Sequence, residues 1–136
     1  MKQLIVDIWM SYRSMPLWVQ IWAIFVLFLL NVASLFFLDH PYGTVVAFLA
    51  VAGVFPNIFL MFIQRGFSKA MAISHVIFWI PLVLVGLGLL GGAFETSAPM
   101  LSFLAVLIPV NVISLAFDMR ETAQWVQGDR ATFRPG

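Results

Sequence analysis

Long apolar runs separated by short polar breaks dominate this chain. From residue 16 it reads PLWVQIWAIFVLFLLNVASLFFL, DHPYG, TVVAFLAVAGVFPNIFLMFI, QRGFSKA, MAISHVIFWIPLVLVGLGLLGG, AFETSA and PMLSFLAVLIPVNVISLAF. Each run approaches the roughly 20 residues that a helix needs to cross a ~30 Å hydrocarbon layer. Strands of a membrane barrel would instead alternate apolar and polar positions over short segments. The pattern therefore predicts an all-α membrane protein, a bundle of four transmembrane helices at 16–38, 44–63, 71–92 and 99–117. Pro16 and Pro99 suit first helical turns, where the missing N–H loses no bond. The apolar stretch 17–38 is longer than the core of a signal sequence and no small-residue cleavage site follows it, so it is expected to be a retained span.

The flanks carry weaker patterns. In residues 1–15, Leu4, Ile5, Ile8, Trp9 and Tyr12 recur at helical spacing, with Lys2, Asp7 and Ser11 elsewhere on the wheel. This is expected to be a short helix lying in the membrane interface, or a plain extension of the first span. The tail, 118–136, is expected to continue the fourth helix for about two turns, stop at Gly128, and end in solvated residues.

Charge orients the four spans. Lys2 and Arg13 precede the first, Arg65 and Lys69 lie between the second and third, and Arg120, Arg130 and Arg134 follow the fourth. The other two connections hold Asp39, His40 and Glu95 but no Lys or Arg. By the positive-inside rule, both termini are expected in the cytoplasm of a bacterial-type inner membrane. Trp9, Trp18, Trp22 and Trp125 would then sit near the cytoplasmic headgroups as anchors.

Composition adds exclusions. Of 136 residues 62% are hydrophobic and 10% charged, against about a quarter charged in soluble proteins. There is no cysteine, so disulfides and thiolate chemistry are excluded. A net charge of +1 gives no ground for a nucleic-acid partner. The expected partners are the lipid bilayer and, through Gly88 and Gly92 at small-xxx-small spacing, a homodimer or larger membrane complex.

Residues 48–65, FLAVAGVFPNIFLMFIQR, align without gaps with 103–120, FLAVLIPVNVISLAFDMR. Arg65 falls opposite Arg120, and each segment has a Pro and an Asn near its middle. Two duplicated helical hairpins in parallel arrangement would produce this pattern; so would chance within a small apolar alphabet.

Three polar residues interrupt the spans. Counted along straight helices, Asn57, His75 and Asn111 fall at similar depth in the cytoplasmic half and form the candidate polar layer. An unpaired amide in hydrocarbon is costly, so these groups should face one another or a wet cavity. Pro56, Pro81 and Pro109 free the carbonyls of Ala52, Ile77 and Ala105, and kinks beside polar groups can mark a binding site. Interhelical glue is the competing reading, and the stronger one for Asn31, with Ser34 nearby in the outer half of the first span.

Catalytic and cofactor signatures are missing. His40 and His75 are the only histidines and lie on opposite sides of the predicted membrane, so no intrachain metal cluster or bis-histidine haem site is expected. No Gly-rich phosphate loop or triad is present, and no predicted span contains an ionised side chain away from its ends. The expected function is therefore non-enzymatic and cofactor-free: an accessory or assembly subunit, or a small oligomer. The alternative is a small-solute transporter lined by Asn57, His75 and Asn111.

Overall fold

The computed structural model describes residues 1–130. Five helical elements follow one another: α1 (Lys2–Ser14), α2 (Leu17–Phe37), α3 (Gly43–Gln64), α4 (Met71–Leu90) and α5 (Ala98–Val126). The last four are long and apolar enough to cross a membrane. Arg134 and the expected solvated end of the tail lie outside the described residues.

α4 is packed between α3 and α5, and α2 lies along α3 and reaches α5. The core is made where these helices meet. Trp79, Leu82 and Leu89 of α4 close on Val46 and Ala50 of α3 and on Met100, Leu104, Leu107 and Ile108 of α5, all buried. Small residues on α3 allow the approach. A Cβ on Gly53 would come within 2.2 Å of Trp79 Nε1, so only glycine lets the indole lie on the helix backbone. The outward surface is apolar too, with Phe25, Phe36, Phe48, Phe55, Phe59 and Leu84 exposed. Side chains of this size facing outward on every span are what a hydrocarbon surrounding accommodates.

Helix ends follow local chemistry. Pro16 is the N-cap of α2, one position before the first turn expected for it. Ser97 caps α5 by accepting from the Met100 amide at 3.3 Å, with Pro99 in the first turn. Arg65 ends α3 in the left-handed conformation, and the Gly66 amide returns to the Met61 carbonyl at 3.0 Å. The turn before α3 closes on Gly43, where a Cβ would lie 1.7 Å from the Phe37 carbonyl oxygen. α5 runs to Val126, well beyond Phe117, and Gly128 follows it at a φ of 109°.

α2 is not a uniform helix. Its first turn is α-helical, Trp22–Phe28 is a π-helix, Leu29–Ala33 is α again, and Ser34–Phe37 tightens to 3-10. A π-helical stretch leaves a widened turn, and such stretches gather at functional positions.

α1 folds back on the bundle and is tied down at four residues. Asp7 pairs with Arg65 at 2.7 Å, and Ser11 accepts from the Phe67 amide at 2.8 Å. Tyr12 donates to the Gln20 carbonyl at 2.9 Å, and the Gln20 side-chain amide donates to the Arg13 carbonyl at 3.2 Å.

Gly88 and Gly92 differ in setting. Gly88 is covered by the Phe94 ring, which a Cβ would meet at 2.8 Å. Gly92 lies past the last turn at a φ of 84°. The two segments aligned as a repeat are out of step along the bundle. Their alignment sets Asn57 opposite Val112, whereas one imidazole bonds both Asn57 and Asp118. The offset is six residues, about 9 Å of helix.

Candidate functional site

Pro56 breaks the hydrogen-bond ladder of α3 about two turns from its end, and the polar groups beside it are met by α4. Ser74 donates within 2.8 Å of the Gly53 carbonyl and lies 3.0 Å from Asn57 Oδ1. Asn57 Nδ2 is 3.0 Å from His75 Nε2. On the other edge of the ring, His75 Nδ1 is 3.2 Å from Asp118 Oδ2 of α5, which also accepts from Ser114 at 3.2 Å. A single imidazole thus joins three helices.

The donors and acceptors fix one consistent assignment. A neutral imidazole whose Nδ1–H donates to the Asp118 carboxylate accepts at Nε2 from Asn57 Nδ2, which turns Asn57 Oδ1 toward the Ser74 hydroxyl, whose single proton it shares with the Gly53 carbonyl. The ring is also held by its face. It stacks on Trp79 with centroids 4.0 Å apart and planes 2° from parallel, while Trp79 Nε1 donates to the Ala50 carbonyl at 3.1 Å. Helical spacing explains the stack, since positions i and i+4 lie one above the other on α4. Asp118 and Asn57 are both buried, and the His75 side chain is 15% exposed.

The structure brings Asn57 and His75 into contact but seats Asn111 elsewhere. Asn111 forms a reciprocal amide pair with Asn31 of α2, Nδ2 to Oδ1 at 2.9 and 3.1 Å, and both residues are fully buried. Asn31 Nδ2 also donates to the Leu27 carbonyl at 2.8 Å, inside the π-helical stretch. Ser34 Oγ reaches the Asn31 carbonyl at 2.5 Å. Two polar clusters therefore replace a single layer. They are separated along α5 by the seven residues from Asn111 to Asp118, about 10 Å.

Asp118 is the residue that the hydropathy pattern hides. With the fourth span ended at Phe117, it counts as the first residue of the cytoplasmic tail, on the helix's continuation; in the structure it is an acid enclosed within the bundle. Its spacing does carry a signal. Asn111, Ser114 and Asp118 fall at i, i+3 and i+7, one face of a helix that does not end at its first charge.

Chemically the constellation is a closed clasp. A carboxylate orients the imidazole, as in acid–base dyads, but Nε2 is engaged by Asn57. Among the described residues, no group of three or more His, Asp or Glu side chains is placed to hold a metal ion. The one buried side-chain polar atom among them without a hydrogen bond is Thr122 Oγ1, one turn beyond Asp118. No family model, no curated protein and no solved structure matches this chain, so its reading rests on its own geometry.

Proposed function

We propose that this chain is a non-enzymatic multi-pass subunit of a bacterial-type inner membrane, with both termini cytoplasmic, that works by associating with other membrane helices. It would serve as an accessory or assembly component of a larger complex, or as a homo-oligomer. One observation carries the reading. The polar groups inside the bundle are engaged with each other, Asn31 with Asn111 and Asn57 and Asp118 with His75, while large apolar side chains crowd the outside. Such a molecule presents helix surfaces to neighbours. The orientation is supported by the charges, since α1, the α3–α4 connection and the end of α5 carry the basic residues and are tied together by Asp7–Arg65 and Lys69–Asp129 at 2.7 and 2.5 Å. The test is mild-detergent affinity purification of the tagged full chain from native membranes. A stoichiometric partner, or a defined homo-oligomer, is expected; repeated recovery as a lone monomer overturns the reading.

The alternative is a small-solute carrier, and the enclosed Asp118–His75 contact favours it. Ionisable pairs among membrane helices are the parts from which coupled carriers are made. Under this reading Asp118→Asn abolishes uptake in reconstituted vesicles while the variant melts like the parent.

A further inference from the structure

Beneath α1 the structure leaves a groove of about 560 Å³, within the range of ordinary ligand sites. Its walls come from α1 (Ile8, Trp9), from the π-helical stretch of α2 (Ile24, Phe25) and from Phe67 of the α3–α4 connection. Arg13 is the charged residue among those that line it. We infer that this groove seats one anionic glycerophospholipid, its phosphate on Arg13 and the upper part of an acyl chain along Ile24 and Phe25.

The guanidinium of Arg13 lies 5.8 Å from the centre of the Trp9 ring, and one nitrogen donates to Gln20 Oε1 at 3.1 Å. Among the described residues no carboxylate stands within ion-pair distance of it, because Asp7, the acid of α1, is taken by Arg65. The side chain is thus oriented by an aromatic shelf and one amide, with donors left over. A planar guanidinium with free donors is the group that binds a phosphate through two parallel bonds.

The shape argument concerns what lies below. Phe25 is eight residues into α2, about 10 Å along its axis. The groove therefore descends from a cationic, aromatic rim to a purely apolar floor over the distance that separates a phosphate from the first part of its acyl chains. A soluble anion would use the rim and leave the floor wet; an apolar molecule would leave the cation unused. The roof is fixed as well, since the bonds of Asp7, Ser11 and Tyr12 hold α1 over the floor. The widened π-helical turn forms that floor, giving the irregularity of α2 a role.

The inference rests on α1 lying at a membrane surface. The test uses the full chain in detergent, with native mass spectrometry after adding dioleoyl phosphatidylglycerol or dioleoyl phosphatidylcholine. One phosphatidylglycerol should be retained at least fivefold over phosphatidylcholine, and Arg13→Gln should remove that preference without changing the melting temperature. Equal retention of the two lipids overturns the proposal, as does a preference that survives Arg13→Gln. Displacement by millimolar inorganic phosphate would assign the rim to a free anion and overturn it too. A measurement on the unmutated chain guards against a variant that fails to fold. Phosphatidylglycerol brominated on its acyl chains should quench the tryptophan fluorescence of the unmutated chain more than brominated phosphatidylcholine does; equal quenching overturns the assignment. A failed topology assay would move α1 to the other face, whereas failed lipid selectivity would leave the topology standing, so the two errors are separable.

Discussion

His75 lies flat on Trp79, ring over ring at 4.0 Å, while its two nitrogens reach Asn57 on α3 and Asp118 on α5. Removing the ring strands two buried groups at once. His75→Leu is expected to destabilise the bundle by about 2–3 kcal/mol, because a buried polar group left without a partner loses its desolvation compensation. Asp118→Asn keeps an oxygen to accept from Nδ1 and is expected to lose less than about 1 kcal/mol. Reversible denaturation in mixed micelles measures both; equal losses would show that the carboxylate's charge, and not merely an acceptor oxygen at that position, holds the clasp.

Gly53 sets how closely α3 and α4 approach. Gly53→Ala forces a methyl group into the Trp79 indole at 2.2 Å. Overpacking of this kind destabilises by about 1–3 kcal/mol. The Trp79 emission should shift to the red as its bond to Ala50 loosens, and the double variant Gly53→Ala with Trp79→Leu should recover part of the loss. An unchanged melting curve for the single variant would mean that the helices sit further apart.

Asn31 and Asn111 should behave as a pair. Coupling between polar side chains in membrane helices averages about 0.6 kcal/mol and reaches about 1.7. Because both bonds of this pair are reciprocal and buried, the upper half of that range is expected from the double-mutant cycle of Asn31→Val and Asn111→Leu. Additive losses would dissolve the pair.

A side-selective reporter fused after the chain's end should answer from the cytoplasm, and one inserted in the turn at Asp39–Gly43 from the opposite face. Signals from one and the same face would invalidate the four-span threading.

The four spans were legible because membrane helices need unbroken apolar length, and hydropathy records length. Registration was less so. Depth counted from Asp118 as the inner end of the fourth span placed Asn111 beside Asn57 and His75, but α5 runs on to Val126 and it is Asp118 that meets His75. Asn111 therefore lies two turns further out, where Asn31 of α2 meets it. Asp118 was missed for another reason. The continuation of the helix beyond Phe117 is legible, but a first charge after an apolar run reads as the water boundary, whereas the bundle encloses Asp118 between Ser114 and His75. The helix stop at Gly128 was readable because a positive φ favours glycine for reasons local to one residue. The groove under α1 depends on bonds between residues up to 58 positions apart, which no local pattern encodes.

The partner of Asn31 is made 80 residues after it. At about 5–20 residues per second, a ribosome takes several seconds to reach Asn111. Through that interval α2 carries an amide whose mate does not yet exist, held only by its own Leu27 carbonyl. Closure of the bundle therefore waits for α5, and a nascent chain interrupted before it leaves a polar handle exposed among apolar helices.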